Sequence, residues 1–141
     1  MNIKQCWQME ELLQVFRIPI RISNPGSDHS EIKYCLFDTG FSGYLGLEKD
    51  TIDALNLPKT GEGRALTVQG IITYENYSGI AEIVNENQEI LETISNSEEK
   101  NDSEKNIIPI QEFNVPILGM KAICQFSWFI LSEQKIICLL K

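Results

Sequence analysis

The sequence predicts an all-β, barrel-like fold with one or two short helices. Short apolar runs dominate the chain, and several alternate with polar residues, as at Ile18, Ile20 and Ile22. Dense turn signals separate them, the strongest being Asn24-Pro25-Gly26-Ser27-Asp28. At 141 residues and 43% apolar composition, the chain suits one domain with an ordinary core.

Residues 1–14 read as an N-terminal extension, with the domain proper over 15–141. Met9, Leu12, Leu13 and Phe16 fall at helical spacing, which predicts a short amphipathic helix. Val15 to Ile22 is the first strand, and Pro19 in it points to an edge position or a strand start. Ile32 to Phe37 returns as the second strand of that hairpin. Leu66 to Tyr74 reads as another hairpin turning near Gln69-Gly70, and Gly79 to Val84 continues the sheet. Ser95 to Asn106 is almost entirely Ser, Asn, Asp, Glu and Lys, so a mobile acidic insertion is expected there. Ile107 to Phe113, Val115 to Leu118, Phe126 to Leu131 and Lys135 to Leu140 complete the strands.

Charge and cysteine usage exclude several classes. The net charge of −8 argues against nucleic acid as a partner. Between Glu82 and Glu104 lie eight acidic residues and one Lys, read as a solvated loop or as a bias toward basic substrates. The cysteines are Cys6, Cys35, Cys124 and Cys138, with no CxxC pair, and His29 is the only histidine, so no metal site and no cofactor is expected. Cys35, Cys124 and Cys138 sit in apolar runs and read as buried hydrophobes. Without a signal-like start or an uninterrupted apolar span, a cytoplasmic protein with reduced thiols and no membrane contact is expected.

The chemistry concentrates at Asp38-Thr39-Gly40-Phe41-Ser42-Gly43. A carboxylate there ends an apolar strand, where it is costly without a partner or a task. The glycines let backbone approach it closely, and the Thr39 hydroxyl can hold the loop. Asp38 could equally cap a turn through a bond to the N–H of Gly40 or Phe41. Ser42 is a poor hydrolase nucleophile, since the elbow pattern needs Gly where Tyr44 stands and His29 would be the only base. Gly61-Glu62-Gly63 lacks the Gly and Lys of a phosphate loop. Tyr74 and Tyr77 read as strand residues or substrate contacts, and Trp7 and Trp128 as core or interface anchors.

Asp38-Thr39-Gly40 after an apolar strand, followed far downstream by Ile117-Leu118-Gly119 and Met120-Lys121-Ala122-Ile123, resembles the retropepsin-like family of single-domain aspartic proteases. The likeness runs from about Val15 to Ile123, and Leu45 to Leu57 looks like that family's short helical connection. It implies a closed barrel-like acid-protease fold and an aspartic endopeptidase acting on peptide or protein as a homodimer, with Asp38 catalytic. Thr39, Gly40, Phe41 and Ser42 would form the active-site loop. Ile117, Leu118 and Gly119 would be the supporting strand, and Val68, Gln69, Gly70 and Ile71 the flap. Phe41 stands where relatives often carry Ala or Ser, so it would pack beside the cleft. The alternative is a non-catalytic β-barrel module of the same fold that binds extended peptide or only dimerises.

Overall fold

The computed structural model describes residues 2–67 and 70–141, and it is predominantly β, with 50% strand and 10% helix. Two sheets form. The larger has eight strands. Its path runs β2 (Arg17–Ser23), β3 (Ser30–Phe37), β9 (Ile117–Leu118), β4 (Leu45–Leu47), β8 (Ile108–Glu112), β6 (Gly70–Val84) and β5 (Lys59–Thr67). β7 (Ile90–Thr93) pairs with β6 off this path. β6 also pairs with β2, so the run of pairings from β2 round to β6 returns to its start. The smaller sheet has three strands in the order β1 (Ile3–Gln8), β11 (Ile136–Leu140), β10 (Trp128–Leu131). Two short helices, α1 (Lys49–Ala54) and α2 (Met120–Ile123), follow β4 and β9.

Period-two alternation sets the core. Ile18, Ile20 and Ile22 on β2 are fully buried, with Ile83 on β6 and Ile108 and Ile110 on β8. Each contributes roughly 1.5–3 kcal/mol by leaving water. Pro19 lies on the part of β2 paired only with β3, because β6 joins from Ile20 onward. The missing N–H therefore costs no ladder bond to β6. Asn24 closes the hairpin: its Oδ1 accepts the Gly26 N–H at 2.8 Å, and its amide donates to the carbonyls of Leu55 and Asn56.

Four expectations change. The N-terminal extension is a strand, not a helix. Residues Ile3–Gln8 pair with β11, and a turn over Glu11–Gln14 leaves Leu12 and Leu13 exposed. The pairing of Ile3–Gln8 with β11 and the turn that follows outweigh the helical spacing of Met9, Leu12, Leu13 and Phe16. The thiols are not all reduced, because Cys6 and Cys138 face each other across β1 and β11 and form a disulfide. Cys124 is exposed rather than buried, whereas Cys35 is buried and burial pushes its thiol far up. The segment Leu45 to Leu57 begins as a strand and becomes helical only from Lys49.

Ser95 to Asn106 carries its own turns. Asn96 N–H donates to the Lys105 carbonyl at 2.6 Å, and Asn101 caps a single 3₁₀ turn at Asp102–Glu104 through the Ser103 N–H. Trp7, Trp128 and Phe37 form an aromatic chain that seats the smaller sheet against the end of β3. Among the described residues, no helix is long and apolar enough to cross a membrane.

Candidate active-site loop

Asp38 sits where β3 ends, and the loop it opens is held from beneath by a segment about eighty residues downstream in sequence. β9 lies between the two strands that flank the loop. It is parallel to β3, with Leu36 opposite Ile117 and Phe37 opposite Leu118, and antiparallel to β4, with Leu45 opposite Leu118 and Gly46 opposite Ile117. The Asp38 N–H donates to the Leu118 carbonyl at 3.0 Å, and the Gly119 N–H donates to the Tyr44 carbonyl at 2.9 Å. These two bonds fix the entrance and the exit of the loop on one short strand.

The first turn of α2 completes the cradle. The Met120 N–H donates to the Phe41 carbonyl at 2.7 Å, and the Lys121 N–H donates to the Gly43 carbonyl at 3.1 Å. Helix starts leave such donors without internal partners, and here the loop carbonyls take them. Gly119 is required by space, since its backbone is extended at φ −98. A Cβ there would collide with the Gly43 carbonyl oxygen and lie 2.5 Å from the Phe41 ring. Gly43 is crowded in turn, with Phe41 Cζ 2.7 Å from where its Cβ would stand. Phe41 therefore fills the loop's own floor, tilted against Phe113 with ring centroids 5.9 Å apart.

Asp38 is half-buried, and Thr39, Gly40 and Ser42 are exposed. Asp38 Oδ1 accepts the Gly40 N–H at 2.9 Å, so the turn-capping bond expected of an Asx turn is present. It orients the carboxylate at the loop's surface. The hydroxyls of Thr39 and Ser42 make no hydrogen bond within the chain among the described residues.

Of the other residues singled out in the sequence, Ile117 and Leu118 are buried in β9 and Gly119 caps α2. All three are brought to the Asp38 loop. Val68 and Gln69 lie outside the described residues. Gly70 and Ile71 stand at the far end of the β5–β6 hairpin, opposite Thr67 and Leu66, with Ile71 71% exposed. Tyr77 is buried, accepts a hydrogen bond from Lys49 Nζ and donates to Glu75, which makes it a strand residue. Tyr74 lies across Gly63 on the neighbouring strand. His29 is exposed on its turn, and no cluster of His, Cys, Asp and Glu among the described residues could hold a metal.

Sequence reasoning missed the supports of the loop's exit. Tyr44 is 3% exposed, and its hydroxyl lies 3.0 Å from Ser97 Oγ and 3.2 Å from Asn96 Oδ1. Lys121 pairs with Glu98 at 2.7 Å and stands over the Tyr44 ring. The Glu98 carboxylate raises the Lys121 ammonium above its ordinary range. The one signal available was a Tyr inside an apolar run, whose hydroxyl must find a partner when buried.

No family model matches the chain, and no curated protein matches it either.

Proposed function

We propose that the chain is an aspartic endopeptidase of retropepsin type, active as a homodimer. The observation that carries this reading is the threading of β9 between β3 and β4, beneath a half-buried Asp that opens a glycine-containing loop. That arrangement presents a carboxylate on a rigid base, which is what acid–base chemistry on a bound peptide needs. The returning run of pairings from β2 round to β6 would be the barrel of this fold.

One chain supplies one Asp38, and peptide hydrolysis by carboxylates uses two. A two-fold dimer, the commonest assembly, brings Asp38 opposite its copy. Two carboxyls about 3 Å apart share one proton, as aspartic proteases generally do. The ionised member takes a proton from water as it attacks the peptide carbonyl. The protonated member donates its proton to the carbonyl oxygen. The proton taken from water then passes from the first member to the leaving amine, while the second recovers a proton from the gem-diol as the carbonyl re-forms. Gly40 N–H holds Asp38 Oδ1 in place, and the exposed, unbonded Thr39 hydroxyl is available to a neighbouring loop across the axis. The β5–β6 hairpin would serve as the flap.

The hydrogen bond from Gly40 also favours a second reading, in which Asp38 is only a turn cap and the fold binds peptide by strand addition without cutting it. One experiment separates the two. Asp38→Asn keeps a turn-capping acceptor but cannot exchange a proton. It should lower cleavage of a peptide library by about 10³-fold or more while circular dichroism and dimer affinity stay unchanged. Wild-type activity should be bell-shaped at acid pH, and activity per chain should fall on dilution in step with dissociation followed by ultracentrifugation. Cleavage retained by Asp38→Asn overturns the catalytic assignment. A wild-type dimer that binds peptide but does not cut it establishes the second reading.

A further inference from the structure

We infer that residues 95–98 brace the Asp38 loop, with Tyr44, Lys121 and Gln125 as positioning residues. The kinetic consequence rests on the catalytic reading of Asp38, and the structural consequence does not.

The brace grips both elements that hold the loop. On one side is Tyr44, the first residue after the loop. Its buried hydroxyl accepts the Ser97 N–H at 3.1 Å and lies within hydrogen-bond distance of Ser97 Oγ and Asn96 Oδ1, so both partner residues come from the brace. On the other side is α2. Gln125, just past its end, bonds Ser95 from both ends of its amide: Oε1 accepts the Ser95 N–H at 2.9 Å and Nε2 donates to the Ser95 carbonyl at 2.6 Å.

Lys121 joins the two sides. Its backbone N–H donates to the Gly43 carbonyl, its ammonium pairs with Glu98, and the same ammonium stands 5.5 Å from the centre of the Tyr44 ring. A helix of four residues has little stability of its own. Its seat under Phe41 and Gly43 is therefore set by what holds it from outside. Displacing 95–98 would strip the Tyr44 hydroxyl of its partners in a buried site, release Lys121 from Glu98 and leave α2 held to the loop by backbone bonds alone. The acidic stretch is in these terms part of the site's scaffold.

Tyr44→Phe removes the hydroxyl and keeps the packed ring. Amide hydrogen exchange, followed by NMR on the full chain, should speed up about tenfold at Ser97 and also at Met120 and Lys121, whose N–H groups hold the loop. Ile20, on β2 between β3 and β6, should not change. If the chain cleaves peptide, kcat should fall about tenfold with KM unchanged. Glu98→Gln, an exposed change that breaks only the ion pair, should shift the same amides about two- to threefold. It serves if Tyr44→Phe does not fold. Faster exchange at Ser97 with Met120 and Lys121 unmoved would overturn the inference. A wild-type chain without peptidase activity would sink the catalytic reading while the exchange result still decides the brace.

Discussion

The Asp38 loop and the β5–β6 hairpin both connect strands of the large sheet, and they are built on opposite plans. The loop is six residues, two of whose carbonyls are held by N–H groups of a segment remote in sequence, and its two glycines face the Asp38 carboxylate and the Phe41 ring. The hairpin is held by its own ladder, from Lys59 opposite Tyr77 to Thr67 opposite Gly70. Its base carries a hydrogen-bonded chain of Lys49, Tyr77, Glu75 and Lys59, and Ile71 and Ile72 stand out toward solvent near its far end. A loop fixed from a distance keeps one shape only while the whole domain is intact. A hairpin fixed locally can bend or be altered with little effect elsewhere.

The largest expected effect removes the difference by loosening everything. The Cys6–Cys138 disulfide spans 132 residues. Losing it through Cys6→Ser should cost about 4–5 kcal/mol in the chain-entropy view, read as a drop in the denaturant midpoint. Hydrogen exchange in loop and hairpin should then rise together wherever it proceeds by global unfolding. Alkylation of the native wild type should modify Cys124 alone, because Cys35 is buried. Native labelling of Cys6 without reductant would contradict the pairing.

The next pair of changes contrasts the two regions directly. Gly119→Ala drives a methyl into the Gly43 carbonyl, which is backbone and cannot step aside. It should destabilise by about 3 kcal/mol. Gly63→Ala meets only the far end of the Tyr74 ring, which can swing away, so the cost should stay below about 1 kcal/mol. Equal costs in urea unfolding would show that the loop is no more constrained than the hairpin.

The smallest effect concerns pH and should be confined to the hairpin. Hydrogen bonds from Lys59 and then Tyr77 lower the Glu75 carboxyl below its ordinary value. Its contribution is present above that ordinary value and is lost as pH falls through the lowered one. Lys59 is raised by its hydrogen bond to Glu75, so its contribution is present below the ordinary lysine range and is lost as pH rises through the raised value. Amides at the hairpin base should therefore be best protected between the two ranges, relative to Glu75→Gln. A pH-independent difference between wild type and Glu75→Gln would remove the ion pair from the account.

Much of this was legible from residues that act locally. Ile18, Ile20 and Ile22 announce β2 because burial follows period two, and Asn24-Pro25-Gly26 announces its turn because the Asn side chain bonds the backbone two residues on. Asp38 stood out as a charge at the end of an apolar run. The failures share one cause, which is that hydrogen bonds and long-range pairing leave no apolar signature. Ser95 to Asn106 has the composition of a solvated tract, yet Asn96, Asn101 and Glu99 use their side chains to cap backbone N–H groups within it. Likewise the N-terminal extension reads as a weak helix from the spacing of Met9, Leu12, Leu13 and Phe16, because nothing near Cys6 says that residue 138 lies opposite.

The threading of β9 has a consequence in time. β3 and β4 cannot close on each other as a hairpin, because the slot between them belongs to a strand made much later. As the chain leaves the ribosome, Asp38 is already out while Ile117 to Lys121 are not, so the loop has neither its floor nor its donors. Pairing across such a separation is slow compared with local hairpin closure. On the proposed reading, the emerging chain therefore has no working site, and the seat for Asp38 forms only once residues 117–121 are in place.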